Sequence, residues 1–369
     1  MPDPDPKPAD ASPPGDLLFV GIPGPVLTPD VAGLLRSVRP GGVILFRRNV
    51  AGLRELAGLC AAIRGTISPP PLLAIDEEGG RVSRLGPHLP VLPAASLTSG
   101  AKPSLLRDYW RSYGRLLAAI GVDIDFAPVV DLCPPDAPNG IADRSYGTRP
   151  AAVIACASEA IAGLMEAGVL PTLKHFPGLG NTLLDSHHHL PTISKGRDLF
   201  EKEDLAPFVA LAPASPAVMV GHGHYPFYSG PAPLAATLST EVSTRLLRER
   251  VGFSGTAITD DLEMKAVAAR IAWDDLAPRA IEAGNDMVLI CHDESRMRAA
   301  ARALSQRAGS DARFAGRCAE AGSRVARLRE AAGEARRAAG LGRAPGDGEI
   351  REARAALLDA ASVIRSARA

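Results

Sequence analysis

Eight short apolar runs punctuate this chain: LLFVGI (17–22), GGVILF (41–46), LLAID (72–76), DIDFAPVVD (123–131), VLPTLKHF (169–176), AVMVGH (217–222), GTAITD (255–260) and NDMVLI (285–290). They are close to continuously apolar and do not alternate with polar residues, as expected of parallel strands covered on both faces. Helical patterns fill the gaps between them. In TPDVAGLLRSV, Thr28 is placed to cap a helix that opens with Pro29 and carries Val31, Leu34, Leu35 and Val38 on one face, before Pro40 and Gly41 stop it. SLLRDYWRSYGRLLAAIG spaces Leu106, Tyr109, Trp110, Tyr113, Leu117 and Ile120 at helical intervals, and AAVIACASEAIAGLMEAG ends at Gly168.

Strand and helix therefore alternate, which predicts an α/β fold with a parallel sheet, and eight repeats predict a closed (β/α)₈ barrel of the TIM type. The 369 residues fit one such domain. An open doubly wound sheet would carry a G-x-G-x-x-G turn after its first strand, and GIPGPVLTPD is not one. The expected organisation is a proline-rich, disordered leader over 1–16, a single catalytic domain over 17–343, and a helical extension over 344–369 that begins at the breaker APGDG.

A formal net charge of zero gives no nucleic-acid footprint and no basic membrane patch, and no stretch is long and apolar enough to span a bilayer. A small neutral substrate fits better. The leader MPDPDPKPADASPPGD has acids and prolines where a secretory signal would have a basic patch and an apolar run. Cys60, Cys133, Cys156, Cys291 and Cys318 are odd in number and form no C-x-x-C. The expectation is reduced thiols in a cytoplasmic monomer, with no metal and no cofactor.

Reactive side chains collect where the strands should end. Asp76 closes the third run, Asp131 the fourth, Lys174 and His175 lie near the end of the fifth, His222 closes the sixth, and Asp260 with Asp261 follows the seventh. Barrel enzymes build their sites on that face. A lone Asp after a strand is often a helix cap, but five strands ending this way point to a site. Six of the eight histidines fall between positions 175 and 224. Their spacing is not that of a specific metal site, although HHH (187–189) and HGH (222–224) invite the idea.

The segment KHFPGLGNTLLDSHHHLP (174–191) opens a loop that would carry Asp185 and His187 over the barrel mouth, where the carboxylate can orient the imidazole as a proton shuttle. In ITDDLEM, Asp260 follows the strand directly and should point into the site, whereas Asp261 should cap the following helix. A carboxylate nucleophile with a nearby acid/base is what a retaining glycosidase requires. Glu77 and Glu78 read as solvated or helix-start acids. Gly79 and Gly80 read as glycines that let the backbone pass close to a ligand while Arg84 reaches back. Cys291 and His292, after the eighth run, are placed to line a pocket, with packing the favoured expectation. Other chemistries remain open on these residues: a Schiff-base aldolase through Lys174, or metal-assisted hydrolysis through the histidines.

DEEGGRVSRL (76–85), FAPVVDL (126–132), DRSYG (143–147), KHFPGLG with DSH (174–187), MVGHGHYP (219–226) and TDDLEM (259–264) together resemble the ordered motif set of glycoside hydrolase family 3, and within it the bacterial β-N-acetylglucosaminidase branch. The resemblance runs from about Leu17 to about Gly340. It implies a retaining β-N-acetylhexosaminidase, with Asp260 as nucleophile, His187 as acid/base and Asp185 orienting it. Asp76, Arg84, Arg144, Lys174 and His175 would bind the sugar, with Asp131 and His222 in support. It also implies a terminal β-linked N-acetylglucosamine substrate, such as a muropeptide fragment from cell-wall recycling. A histidine acid/base leaves phosphorolysis conceivable beside hydrolysis. The family loop usually reads KHFPGHG, and Leu179 replaces its second histidine, so altered loop packing is expected there.

Overall fold

A computed structural model describes residues 14–180, 182, 189–269, 271–340 and 346–366. Eight parallel strands close a barrel: β1 (Leu18–Gly21), β2 (Gly42–Leu45), β3 (Leu72–Ile75), β4 (Ile124–Asp125), β5 (Leu170–Phe176), β6 (Ala217–Val220), β7 (Thr256–Asp261) and β8 (Met287–Ile290). Each pairs with its neighbours in sequence, and β8 closes on β1 through Leu18 beside Val288. The eight apolar runs are the eight strands.

Helices follow the strands: α1 (Pro29–Val38), α2 (Leu53–Arg64), α3 (Pro103–Ile120), α4 (Pro150–Glu166), α5 (Ala206–Leu211), α6 (Glu241–Arg250), α7 (Trp273–Ala283) and α8 (Glu294–Ser310). Thr28 caps α1 as expected, its hydroxyl accepting the Val31 N–H at 3.3 Å, and Val31, Leu34, Leu35 and Val38 are buried. The helix ends at Val38, with Arg39 as its left-handed C-cap just ahead of Pro40 and Gly41. Leu164, Ile258 and Val288 are fully buried in the continuous core. Truncating such a residue to alanine costs about 2–5 kcal/mol.

Two further helices, α9 (Ala312–Ala338) and α10 (Asp347–Ser366), complete the described chain. Asp311 joins α8 to α9 by accepting the Arg313 and Phe314 N–H groups. The α10 helix packs along α3 and buries Ile350, Leu357, Ala361 and Ile364, so residues 347–366 lie against the barrel.

Two boundaries differ from the sequence expectation. The fourth run pairs as a strand only over Ile124–Asp125, because Pro128 has no N–H to give a ladder; the chain then rejoins β5 by a bridge from Val129 to Lys174. Pro14–Leu17, assigned in part to the leader, forms a helical turn in which Asp16 is buried and ion-paired with Arg329 of α9. At the opposite end of the strands, Arg248, Arg317 and Arg324 converge on buried Asp286, which also accepts the Ala257 N–H and ties β8 to β7.

Candidate active site

The C-terminal ends of the strands surround a cavity of about 380 Å³. Five of the expected sugar-binding residues meet there. Asp76, directly after β3, accepts from Arg84 Nη2 and from Lys174 Nζ, both at 2.9 Å. Lys174 rises from β5, fully buried, and bridges Asp76 to Glu78 at 2.5 Å. Glu78 in turn takes a two-pronged contact from Arg144 at 2.7 and 2.8 Å. Arg144 reaches His175 Nε2 at 3.3 Å, and His175 Nδ1 lies 2.7 Å from Asp131. Asp131 also accepts the His175 and Leu179 N–H groups. Facing a guanidinium on Nε2 and a carboxylate on Nδ1, the ring of His175 carries its proton on Nδ1.

This chain of alternating charge explains how so many ions share one wall. Burial alone would raise the Asp76 carboxyl, but Lys174 and Arg84 outweigh it and hold the group below the ordinary carboxylate range. Glu78 behaves alike: against burial, Arg144 and Lys174 bring it down to about 2. Burial works against the charge on Lys174 too, and Asp76 with Glu78 more than compensates, so its ammonium is held above the usual range. A Schiff-base lysine needs the opposite shift, which argues against aldolase chemistry.

The two glutamates correct the sequence reading. Neither is solvated. Glu78 is the central anion of the wall, and Glu77 points away from the cavity, accepting from the Tyr113 hydroxyl and from the Arg84 and Leu85 N–H groups. Burial pushes Glu77 up to about 7, with those donors opposing. Periodicity could not show this, because both acids follow a strand that turns straight into a hairpin, Glu77–Gly79 against Val82–Ser83. Gly79 is required there for a reason other than ligand approach: its φ is +80°, and a Cβ would lie 2.3 Å from the Pro93 carbonyl.

On the opposite wall stands Asp260, in the last turn of β7, lining the cavity. Its Oδ1 accepts the Asp261 N–H at 2.8 Å. The Asp261 side chain accepts the Glu263 N–H at 3.0 Å within a turn and does not cap the following helix as expected, since that helix, Lys265–Ala268, begins only after Met264. Asp261 also borders the cavity, and burial, with the charges of Glu263 and Asp260, raises its carboxyl to about 7. His222, fully buried after β6, lies 2.9 Å from both the Asp261 carbonyl and the Thr237 hydroxyl.

Glu263 is a residue that motif reading passed over: its carboxylate accepts N–H groups from Cys291, His292 and Asp293 and fastens the loop after β8. Cys291 and His292 line the cavity, the reading placed second to packing, and Arg48 donates to the Cys291 carbonyl and lies 3.0 Å from His292 Nδ1. Leu179 is buried against Gly221 and Gly223, where a Cβ on either glycine would fall within 3 Å of its side chain. Leu179 is therefore a hydrophobic plug beside His175. Asp185 and His187 lie outside the described residues. Among the described residues, no group of three or more His, Cys, Asp or Glu is arranged to hold a metal ion, and no helix is long and apolar enough to cross a membrane.

Residues 22–328 match the glycosyl hydrolase family 3 N terminal domain. The chain belongs to glycosyl hydrolase family 3. It is a glycoside hydrolase, and the barrel implied by the motif set is the barrel observed. Among family 3 relatives, a protein named beta-hexosaminidase from Alkalilimnicola ehrlichii is 38% identical over 295 residues, which is 78% of this chain and 84% of that one. A family 3 β-N-acetylglucosaminidase from Paenibacillus superposes with a TM-score of 0.83 at 32% identity, over 94% of this chain and 68% of that one. A fungal multi-domain family 3 β-N-acetylglucosaminidase gives a TM-score of 0.85 at 29% identity, and this chain spans only 42% of its length.

Proposed function

We propose that this family 3 enzyme is a retaining β-N-acetylhexosaminidase that removes terminal β-linked N-acetylglucosamine. The observation that carries the reading is the cavity itself: Asp260 faces a wall of fixed donors, Arg84, Lys174 and Arg144, across a volume at the low end of ligand pockets, which run roughly 300–1,000 Å³. Such a volume suits one sugar residue. The charged wall would hold its hydroxyl and N-acetyl groups, and Met219, Met264 and Leu289 offer the apolar surface a pyranose face needs. Similarity to proteins named beta-hexosaminidase and β-N-acetylglucosaminidase supports the choice of sugar.

In the proposed mechanism an Asp260 oxygen attacks the anomeric carbon as the bond to the leaving oxygen breaks, and His187, oriented by Asp185, delivers a proton to that oxygen. Water then attacks the glycosyl-Asp260 ester while His187 takes back a proton, releasing the sugar with retained configuration. Fragments of cell-wall muropeptides are the proposed natural substrates.

Rates on aryl β-N-acetylglucosaminide and aryl β-glucoside test both parts. The account expects a clear preference for the former and a loss of about 10⁴-fold in kcat for Asp260→Ala, as for removal of other nucleophiles. Preference for the glucoside would overturn the sugar, and an unimpaired Asp260→Ala would overturn the nucleophile. Analysis of products with and without inorganic phosphate tests hydrolysis: free sugar in both is expected, and sugar 1-phosphate would contradict it.

A further inference from the structure

Asp260 is held in part by the residue that follows it. The Asp261 N–H donates to Asp260 Oδ1 at 2.8 Å, so the placement of Asp261 bears on where that carboxylate points. Asp261 is held on its other side as well. Its carbonyl lies 2.9 Å from His222 Nε2. A carbonyl can only accept, so Nε2 carries a proton, and His222 Nδ1 is left facing the Thr237 hydroxyl at 2.9 Å. Thr237 is itself fully buried, and its carbonyl takes a bond from Asn285 Nδ2 at 2.8 Å.

The barrel register explains why this histidine is in place. Val220 of β6 pairs with Thr259 of β7, so two residues further along His222 comes level with Asp261. Buried His222 has no exposed surface to offer a sugar and does not line the cavity. Among the described residues its ring meets the Thr237 hydroxyl and the Asp261 carbonyl, which lies one peptide unit beyond the N–H that reaches Asp260.

We infer that His222 is a positioning residue for the nucleophile: with its ring held by the Thr237 hydroxyl and its Nε2 proton donated to the Asp261 carbonyl, it anchors Asp261 and thereby helps to aim the Asp261 N–H and the Asp260 carboxylate. The inference rests on the reading of Asp260 as the attacking group. A carboxylate displaced by about 1 Å from its attack line loses roughly 100-fold in rate, so the anchor acts on kcat and leaves sugar affinity to the opposite wall.

The test uses the full chain and a 5-fluoro N-acetylglucosaminyl fluoride, which loses fluoride as the ester to Asp260 forms and then turns over slowly. Its inactivation rate reports the attack step alone. His222→Leu removes the donor, His222→Gln retains an amide N–H near the position of Nε2, and Thr237→Val removes the hydrogen bond that holds the ring without changing side-chain shape. We expect inactivation rate and kcat to fall together by about 10–100-fold in His222→Leu, with KM within about threefold of wild type. His222→Gln should recover most of the loss, and Thr237→Val should fall between. Wild-type inactivation rates in His222→Leu, or equal losses in His222→Gln and His222→Leu, would overturn the inference. If His222→Leu does not fold, an unchanged rate in Thr237→Val does the same. A wild-type adduct on a residue other than Asp260 would overturn the nucleophile reading, and this inference with it.

Discussion

On the β3–β5 side of the barrel mouth, Asp76 and Glu78 each meet two cations; on the β7–β8 side, the Asp261 carboxyl meets the Glu263 N–H and other acids. The same functional group, a buried carboxyl, ends in opposite states. Glu78 is drawn down to about 2, while Asp261 is raised to about 7. Burial pushes both upward, so what separates them is whether a cation stands within contact distance. The first wall is a rigid, charge-compensated surface suited to gripping a neutral sugar. The second keeps carboxylates close together with few compensating cations, as a reacting centre does.

This contrast predicts where damage appears. The largest effect belongs to the second wall: Asp260→Ala should lose about 10⁴-fold in kcat on the aryl glycoside while its denaturant midpoint stays close to wild type. Next comes Lys174→Met in the first wall. It leaves Asp76 and Glu78 buried with one cation fewer, which should cost about 3–5 kcal/mol in urea unfolding and also raise KM. A mutant that keeps wild-type stability would show that the wall is not charge-compensated as described.

The pH dependence of stability separates the two walls further. Glu78 has a folded pKa below its unfolded value near about 4.3, so its contribution is complete above that pH and is lost as the pH falls toward about 2. Asp261 has the reverse sign: its folded pKa of about 7 exceeds an unfolded value near about 3.9, so stability declines as pH rises between them. Asp261→Asn should therefore match wild type near pH 4 and exceed it by up to about 4 kcal/mol at pH 8. Equal stability at both pH values would remove the acid crowding from the account. The smallest effect is expected at the rim, where Arg81 pairs with Asp143 at 2.7 Å with about half its side chain exposed. Arg81→Ala should cost under about 1 kcal/mol.

How much of this was legible in the sequence follows the same divide. The barrel was, because eight apolar runs separated by capped helices leave few alternatives. The positions of Asp76, Lys174, His175 and Asp260 followed from where those runs end. Glu77 and Glu78 were misread, since nothing in DEEGGR says that the chain turns into a hairpin and carries both acids inward. Burial of a carboxylate is decided by partners distant in sequence, here Tyr113, Arg144 and Lys174. Pro128 marked the early end of β4, but the apolar run around it masked the signal. Glu263 and Asp16 escaped for the same reason, their partners lying 28 or more residues away. The reading of Asp185 and His187 concerns residues outside those described.

The central claim is that Asp260 forms a bond to the sugar. Brief treatment with the 5-fluoro N-acetylglucosaminyl fluoride, followed by intact mass and peptide mapping, tests it directly. One added glycosyl group per chain, located on Asp260 and lost on incubation with an acceptor, is the predicted result. An adduct on Asp261 or Asp76, or steady turnover of the reagent with no adduct at any residue, would contradict it.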